Sequence, residues 1–151
     1  MKKTLLILTI ILSSLYSNAQ SFSLKFDHYT ILVRDIEKSR KFYKSILQFK
    51  EKETPWGDDL PRPVIFIDIG NNQELHITED KKEKDNIKLH KIIHFAFTVK
   101  DFDGYVKFLN KKGIEYGEWS GKNKKFQTRI DGVRQIYFQD PDGYWIEIND
   151  N

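Results

Sequence analysis

The sequence predicts an α+β fold built from one small unit used twice, each unit a strand, a helix and then about three strands. Three observations carry this prediction. "HYTILVRDIEKSRKFYK", beginning at His28, aligns without a gap on "HFAFTVKDFDGYVKFLN", beginning at His94, and a duplicated unit is the economical reading. The two copies share His28/His94, Val33/Val99, Asp35/Asp101, Lys41/Lys107 and Phe42/Phe108. Within each copy the apolar spacing changes from strand alternation to a helical stripe. Beyond each helix, β-branched and aromatic runs flank turn-forming residues.

Each element has its local reason. Ile31 to Val33 and Phe95 to Val99 are rich in β-branched and aromatic residues, as strands are. Asp35 and Asp101 follow where a helix N-cap belongs, since a carboxylate can accept from the free N–H groups of a first turn. The first helix carries Ile36, Ser39, Tyr43 and Ile46 on one stripe, widened by Phe42 and Leu47. The second carries Phe102, Tyr105, Val106 and Leu109, and Gly113 is placed to end it. "VIFIDIG" and "QELHITE" then flank "GNN", and "RQIYFQ" and "YWIEIN" flank "DPDG". The turn-rich "EKETPWGDDLPRP" (51–63) reads as a long loop, and "GKNKKFQTRIDG" (121–132) as irregular with room for a short strand.

These units set the organisation. Module one spans about 26–79, a linker 80–90, and module two about 91–150, together one domain over 21–151. Residues 1–20 fall outside it: two lysines, an apolar run from Leu5 to Leu12, and Ser17 and Ala19 before a cleavable bond are the layout of a secretory signal peptide. The expected location is periplasmic or secreted, with membrane contact only during export. Of 25 basic residues two lie in that leader, leaving 23 against 22 acidic ones. The balance excludes a basic nucleic-acid surface. The alternating charges of "EDKKEKDNIK" (79–88) read as a solvated linker. With no cysteine there is neither a disulfide nor a thiolate ligand, so the domain rests on its core.

Strand alternation separates two faces. Tyr29, Ile31 and Val33, Phe95, Phe97 and Val99, Leu75 and Ile77, and Tyr144, Ile146 and Ile148 form the faces that pack on the helices. The opposite faces receive His28, His76, His94 and Glu147, one from each of four strands, among small or polar neighbours such as Thr30, Thr78, Ala96 and Thr98. Aligning "LHIT" with "IEIN" makes His76 and Glu147 equivalent under the repeat. Each histidine taken singly reads as structural. Three of the chain's four at repeat-related positions, with one carboxylate, point to a divalent metal: Zn, Ni, Co, Mn or Fe. His90, in the linker, is given no catalytic role.

The duplication, with "FDHYTILVRD", "ELHITE", "IIHFAFTVKD" and "FQDPDGYWIEI", resembles the vicinal-oxygen-chelate superfamily, which includes glyoxalase I, over nearly all of Phe26 to Asp150. The resemblance implies two βαβββ modules forming a cupped, barrel-like mixed β-sheet, helices packed outside, around one divalent ion. It places the ligands at His28, His76, His94 and Glu147. It implies a homodimer, with the site formed either within one chain or across two. It also implies a small-molecule substrate that chelates through vicinal oxygens, with isomerase or lyase chemistry first and Glu147 as the base.

His76 departs from glyoxalase I, which generally carries glutamate there, so His76 is either a ligand or a catalytic proton shuttle. Fosfomycin-resistance thiol transferases resemble the chain at His28, Thr30, His94, Tyr137 and Glu147, although their basic C-terminal extension has no counterpart after Glu147. His28, His94 and Glu147 would also make the Fe(II) set of an extradiol dioxygenase. The alternative from another class is a metal-free, drug-sequestering binder of the bleomycin-resistance kind. Around the metal, Thr30 and the Tyr137 hydroxyl are expected to meet substrate, Phe66 to form an apolar wall, and Trp56 to cover the pocket. Tyr137 reads equally well as a core residue, and Arg129 and Arg134 either as anion contacts or as surface pairs.

Overall fold

The computed structural model describes residues 22–54, 57, 60–121 and 123–151. The expected leader and Trp56 lie outside the described residues. The elements run β1 His28–Val33, α1 Ile36–Ser45, β2 Lys50–Lys52, β3 Val64–Gly70, β4 Gln73–Glu79, α2 Lys81–Asp85, β5 His94–Thr98, α3 Phe102–Lys111, β6 Gln127–Thr128, β7 Arg134–Gln139 and β8 Trp145–Asn149. They form two four-stranded mixed sheets of the same topology, ordered β1-β4-β3-β2 and β5-β8-β7-β6. In each, the first strand runs parallel to the last and the other pairs are antiparallel. The duplicated α+β unit is thus the architecture.

Helix starts follow the local chemistry. Asp35 accepts from the Glu37 and Lys38 amides at 3.1 and 3.0 Å, and Asp101 from the Gly104 amide at 2.9 Å. Both helices end near a left-handed residue, with Gly113 at φ 71° closing α3. The stripe of α1 is buried at Ile36, Ser39, Phe42, Tyr43, Ile46 and Leu47. Ile31, Val33, Leu75, Ile77, Ile146 and Ile148 supply the packed faces of the sheets.

Two segments differ from expectation. β2 occupies the start of what reads as a loop; its three charged-rich residues carry no alternation signal, and pairing with β3 alone makes it a strand. The charged linker contains α2, capped by Asp80 on the Glu83 amide at 3.0 Å, with Lys84 buried and its ammonium 5.2 Å from the Tyr144 ring. A lysine stem lying along an aromatic face explains how so polar a segment docks.

The modules are joined through α1 and the "DPDG" turn. Phe42 meets Phe138 at 6.3 Å between centroids, and the Tyr43 hydroxyl donates to Asp140 Oδ2 at 3.0 Å. Asp140 Oδ1 accepts from the Asp142 and Tyr144 amides at 2.9 and 2.8 Å, and Asp142 Oδ1 accepts from the Arg34 amide at 3.0 Å. The aspartates that read as turn chemistry therefore also fasten one module to the other.

Candidate metal centre

The sheet register builds two half-sites of one design. In the first sheet His28 stands opposite Glu74 and Thr30 opposite His76. In the second, His94 stands opposite Trp145 and Ala96 opposite Glu147. His76 and Glu147 thus each lie two residues beyond the partner of the repeat histidine, on the same face of equivalent strands.

In module one the His28 and His76 rings stack at 4.1 Å between centroids and 9° between planes. Phe66, opposite His76 on β3, packs edge to face with it at 4.3 Å between centroids. His76 Nε2 meets Glu74 Oε2 at 3.1 Å, and His28 Nδ1 meets Asp27 Oδ2 at 2.7 Å. Lys52 bonds Glu74 in turn; that bond first, and the one to His76 second, hold the Glu74 carboxyl below its ordinary range. A shallow cavity of about 250 Å³ lies over this face, bordered by Thr30, Phe66, His76, Thr78 and Arg62.

In module two His94 Nε2 and Glu147 Oε2 are 3.3 Å apart. Glu147 is only 6 % exposed, and both its oxygens are held: Oε2 accepts from the Tyr137 hydroxyl at 2.6 Å and Oε1 from the Asn149 side-chain Nδ2 at 2.8 Å. Burial first, and the carboxylate second, push the Tyr137 hydroxyl well above its ordinary value, so it remains a donor. Tyr137 is buried, 3 % exposed, with its hydroxyl turned to Glu147 on this face. His94 Nδ1 lies 2.8 Å from the Lys91 carbonyl, which can only accept, so Nδ1 carries a proton. In the neutral ring Nε2 then presents a lone pair to a carboxylate oxygen.

Two acceptors facing each other at 3.3 Å call for a proton or a cation between them. The spacing lets both reach one ion at ordinary bond lengths of about 2.0–2.2 Å. The donor chemistry of this pair fits a divalent ion, with Tyr137 and Asn149 orienting the carboxylate as outer partners do. The four expected ligands do not, however, meet in one chain. Among the described residues no three His, Cys, Asp or Glu side chains are grouped closely enough to hold a metal. Each chain carries a pair on each sheet.

Other expected contacts sort themselves. Arg134 is engaged by Asp103 and Asp150, and Arg129 by Asp131. Thr30 faces His76 across the strand pair and borders its cavity. Glu74 and Asn149 were absent from the expected set, although each stands two residues from an expected ligand and strand alternation puts it on that face. Lys91 and Trp119, which also reach Tyr137, sit in irregular segments where no periodicity marks them.

A duplicated βαβββ unit with paired ligand positions on one face of each sheet defines a family. The sequence model of the Glyoxalase/Bleomycin resistance protein/Dioxygenase superfamily matches residues 25–148, and the chain belongs to that superfamily. It is 31 % identical to the metallothiol transferase FosB of Staphylococcus saprophyticus over 125 residues, covering 82 % of this chain and 74 % of that one. The fold matches the fosfomycin resistance protein FosX of Listeria monocytogenes with a TM-score of 0.67 at 22 % identity, covering 86 % of this chain and 95 % of that one. It also matches the lactoylglutathione lyase of Agrobacterium tumefaciens with a TM-score of 0.62 at 17 % identity, covering 87 % and 96 %.

Proposed function

We propose that the protein is a divalent-metal-dependent enzyme acting on a small oxygen-bearing molecule, with each metal site completed by a second copy of the chain. The observation that supports this is the equivalence of the two half-sites, each offering two donors on one face and neither sufficient alone. In a two-fold pair, the His28 and His76 face of one protomer meets the His94 and Glu147 face of its partner, and each pair of chains makes two such sites. Of the four edge strands β1, β2, β5 and β6, the pair β1 and β5 is the one proposed to meet the partner, because Phe26, Tyr29, Ile92 and Ile93 on or beside it are exposed.

A bound divalent ion supplies a Lewis acid that stabilises negative charge developing on a substrate oxygen. The chain's own residues do the rest. Tyr137 and Asn149 fix the Glu147 carboxylate, and Phe66 and Thr30 border the space beside it on the partner's half. Glu147 is the one carboxylate of the four, and it moves the proton in an isomerase or lyase reaction at carbon next to a carbonyl. A second reading, thiol transfer, is favoured by the similarity to the metallothiol transferase FosB. Deuterium exchange at carbon into an α-hydroxycarbonyl compound supports the first reading, and thiol-dependent loss of fosfomycin supports the second. The leader-like residues 1–20 support action outside the cytoplasm, which N-terminal sequencing from Ser21 of the exported protein checks.

The test of the shared site is a mixture. His28→Ala and His94→Ala proteins are expected to lose the metal separately and, co-refolded, to recover about one site in four, the share that random pairing leaves intact. No recovery, with paired chains verified by sedimentation, would place each site within one chain.

A further inference from the structure

Lys91 lies three residues before His94 and belongs to no strand or helix. Its two ends act on different parts of the module-two half-site. The carbonyl accepts from His94 Nδ1 at 2.8 Å. The ammonium crosses to the segment after α3, where it donates to the Trp119 carbonyl at 2.9 Å and the Glu118 carbonyl at 3.2 Å. There it stands among three rings: Trp145 at 4.4 Å, Tyr137 at 5.3 Å and Trp119 at 5.7 Å from the centroids. Aromatic faces and carbonyl oxygens are both electron-rich, so a cation is what draws these groups together.

Trp119 is held from two other directions. Its amide donates to Gln127 Oε1 at 3.3 Å, and its ring is edge-on to Tyr137 at 5.5 Å. Two residues earlier, Gly117 bridges Tyr137 through a pair of backbone bonds of 3.0 and 2.8 Å. Even so, the Trp119 side of this arrangement stays 43 % exposed, so the ring covers Tyr137 while keeping a surface open. Tyr137 is the residue whose hydroxyl aims Glu147.

We infer that Lys91 is a positioning residue of the candidate site: its ammonium clamps Trp119 over Tyr137, the residue that aims Glu147, while its carbonyl orients His94 toward Glu147. The positioning role rests on the metal-site reading above; the clamp itself does not. Removing the ammonium frees Trp119 but leaves the carbonyl, and hence the His94 orientation, in place.

The clamp is tested by acrylamide quenching of tryptophan fluorescence on metal-free protein. Lys91→Met and Lys91→Arg are measured beside the parent, each with and without Trp119→Phe, so that the difference reports Trp119 alone. Lys91→Met is expected to raise Trp119 quenching about two- to fivefold, the factor a partly exposed cation–π contact is worth. Lys91→Arg, which keeps the charge and donors, is expected to stay near the parent. Lys91→Gln gives the same reading as Lys91→Met should the latter fail to fold. Unchanged quenching in the uncharged variants, or an equal rise in Lys91→Arg, overturns the clamp. Metal content, measured separately, is expected to match the parent in Lys91→Met. An absence of metal in both would count against the metal reading and leave the clamp standing, whereas loss in Lys91→Met alone would contradict the separation of the two roles.

Discussion

Glu147 illustrates how one residue acquires a role from its surroundings. A strand carboxylate near a chain end is ordinarily a solvated charge, but here Tyr137, Asn149 and His94 surround it at 2.6, 2.8 and 3.3 Å. The orientation these contacts enforce has a measurable consequence. Tyr137→Phe removes one donor with little change of volume and is expected to weaken metal binding about tenfold, the lower end for an outer partner of a metal ligand. Calorimetric titration checks it, and an unchanged affinity would mean the hydroxyl does not steer the carboxylate. The candidate ligands were legible at this scale because alternation fixes a face. Asn149 and Glu74 obey the same alternation, yet a sequence shows only that they share the face, not that they bond to Glu147 and His76. Lys91 and Trp119 were beyond reach, since irregular backbone has no period from which direction can be read.

At the scale of elements, caps and turns do more than terminate helices and strands. Gly117 has no room for a side chain: a Cβ there would sit 1.8 Å from the Gly121 carbonyl oxygen. Gly117→Ala is therefore expected to break the bridge to Tyr137 and expose Trp119, seen as a red shift of its emission while α1 and α3 keep their far-ultraviolet signal. Asp140, in the "DPDG" turn, shows the electrostatic counterpart. Burial pushes its carboxyl up to about 6, against the lowering effect of the bonds from Tyr144, Tyr43 and Asp142. The folded form thus holds this proton more tightly than the unfolded chain between about pH 4 and pH 6. Its contribution to stability falls as pH rises through that window, by about 3 kcal/mol at most. Asp140→Asn keeps the acceptor for the turn amides and removes the titration. Denaturant unfolding of the variant is expected to lack that decline relative to the parent, and an identical pH profile would contradict it. Both helices and the longer strands were legible from caps and periodicity. β2 and α2 were not, because three residues of strand and five of charged helix are stabilised by what they dock against.

For the whole molecule, the duplication visible between His28 and His94 reappears as two sheets of identical order and direction. It was legible because equivalent residues do equivalent work: the aspartate caps, the packed faces and the paired donor positions all recur. How the two copies of the unit face each other was not legible. In the folded chain their contacts include α1 and Arg34 against the Asp140–Asp142 turn and Tyr29 of β1 edge-on to Phe95 of β5, and β1 and β5 are each an edge strand of their sheet. A repeat can be read from one sequence, but whether its halves complete a site within a chain or between chains depends on surfaces that no pattern encodes. Joint binding of one divalent ion by His28, His76, His94 and Glu147 is what the proposed function depends on, and elemental analysis of the protein from Ser21, purified without chelator, is its test. About one metal ion per chain is expected in the parent, and loss of that ion in both His94→Ala and Glu147→Ala, as removal of a ligand from a four-ligand site requires. A parent that takes up no ion even after reconstitution with Zn, Ni, Co, Mn or Fe, or variants that keep it, would overturn a metal site made by these four residues.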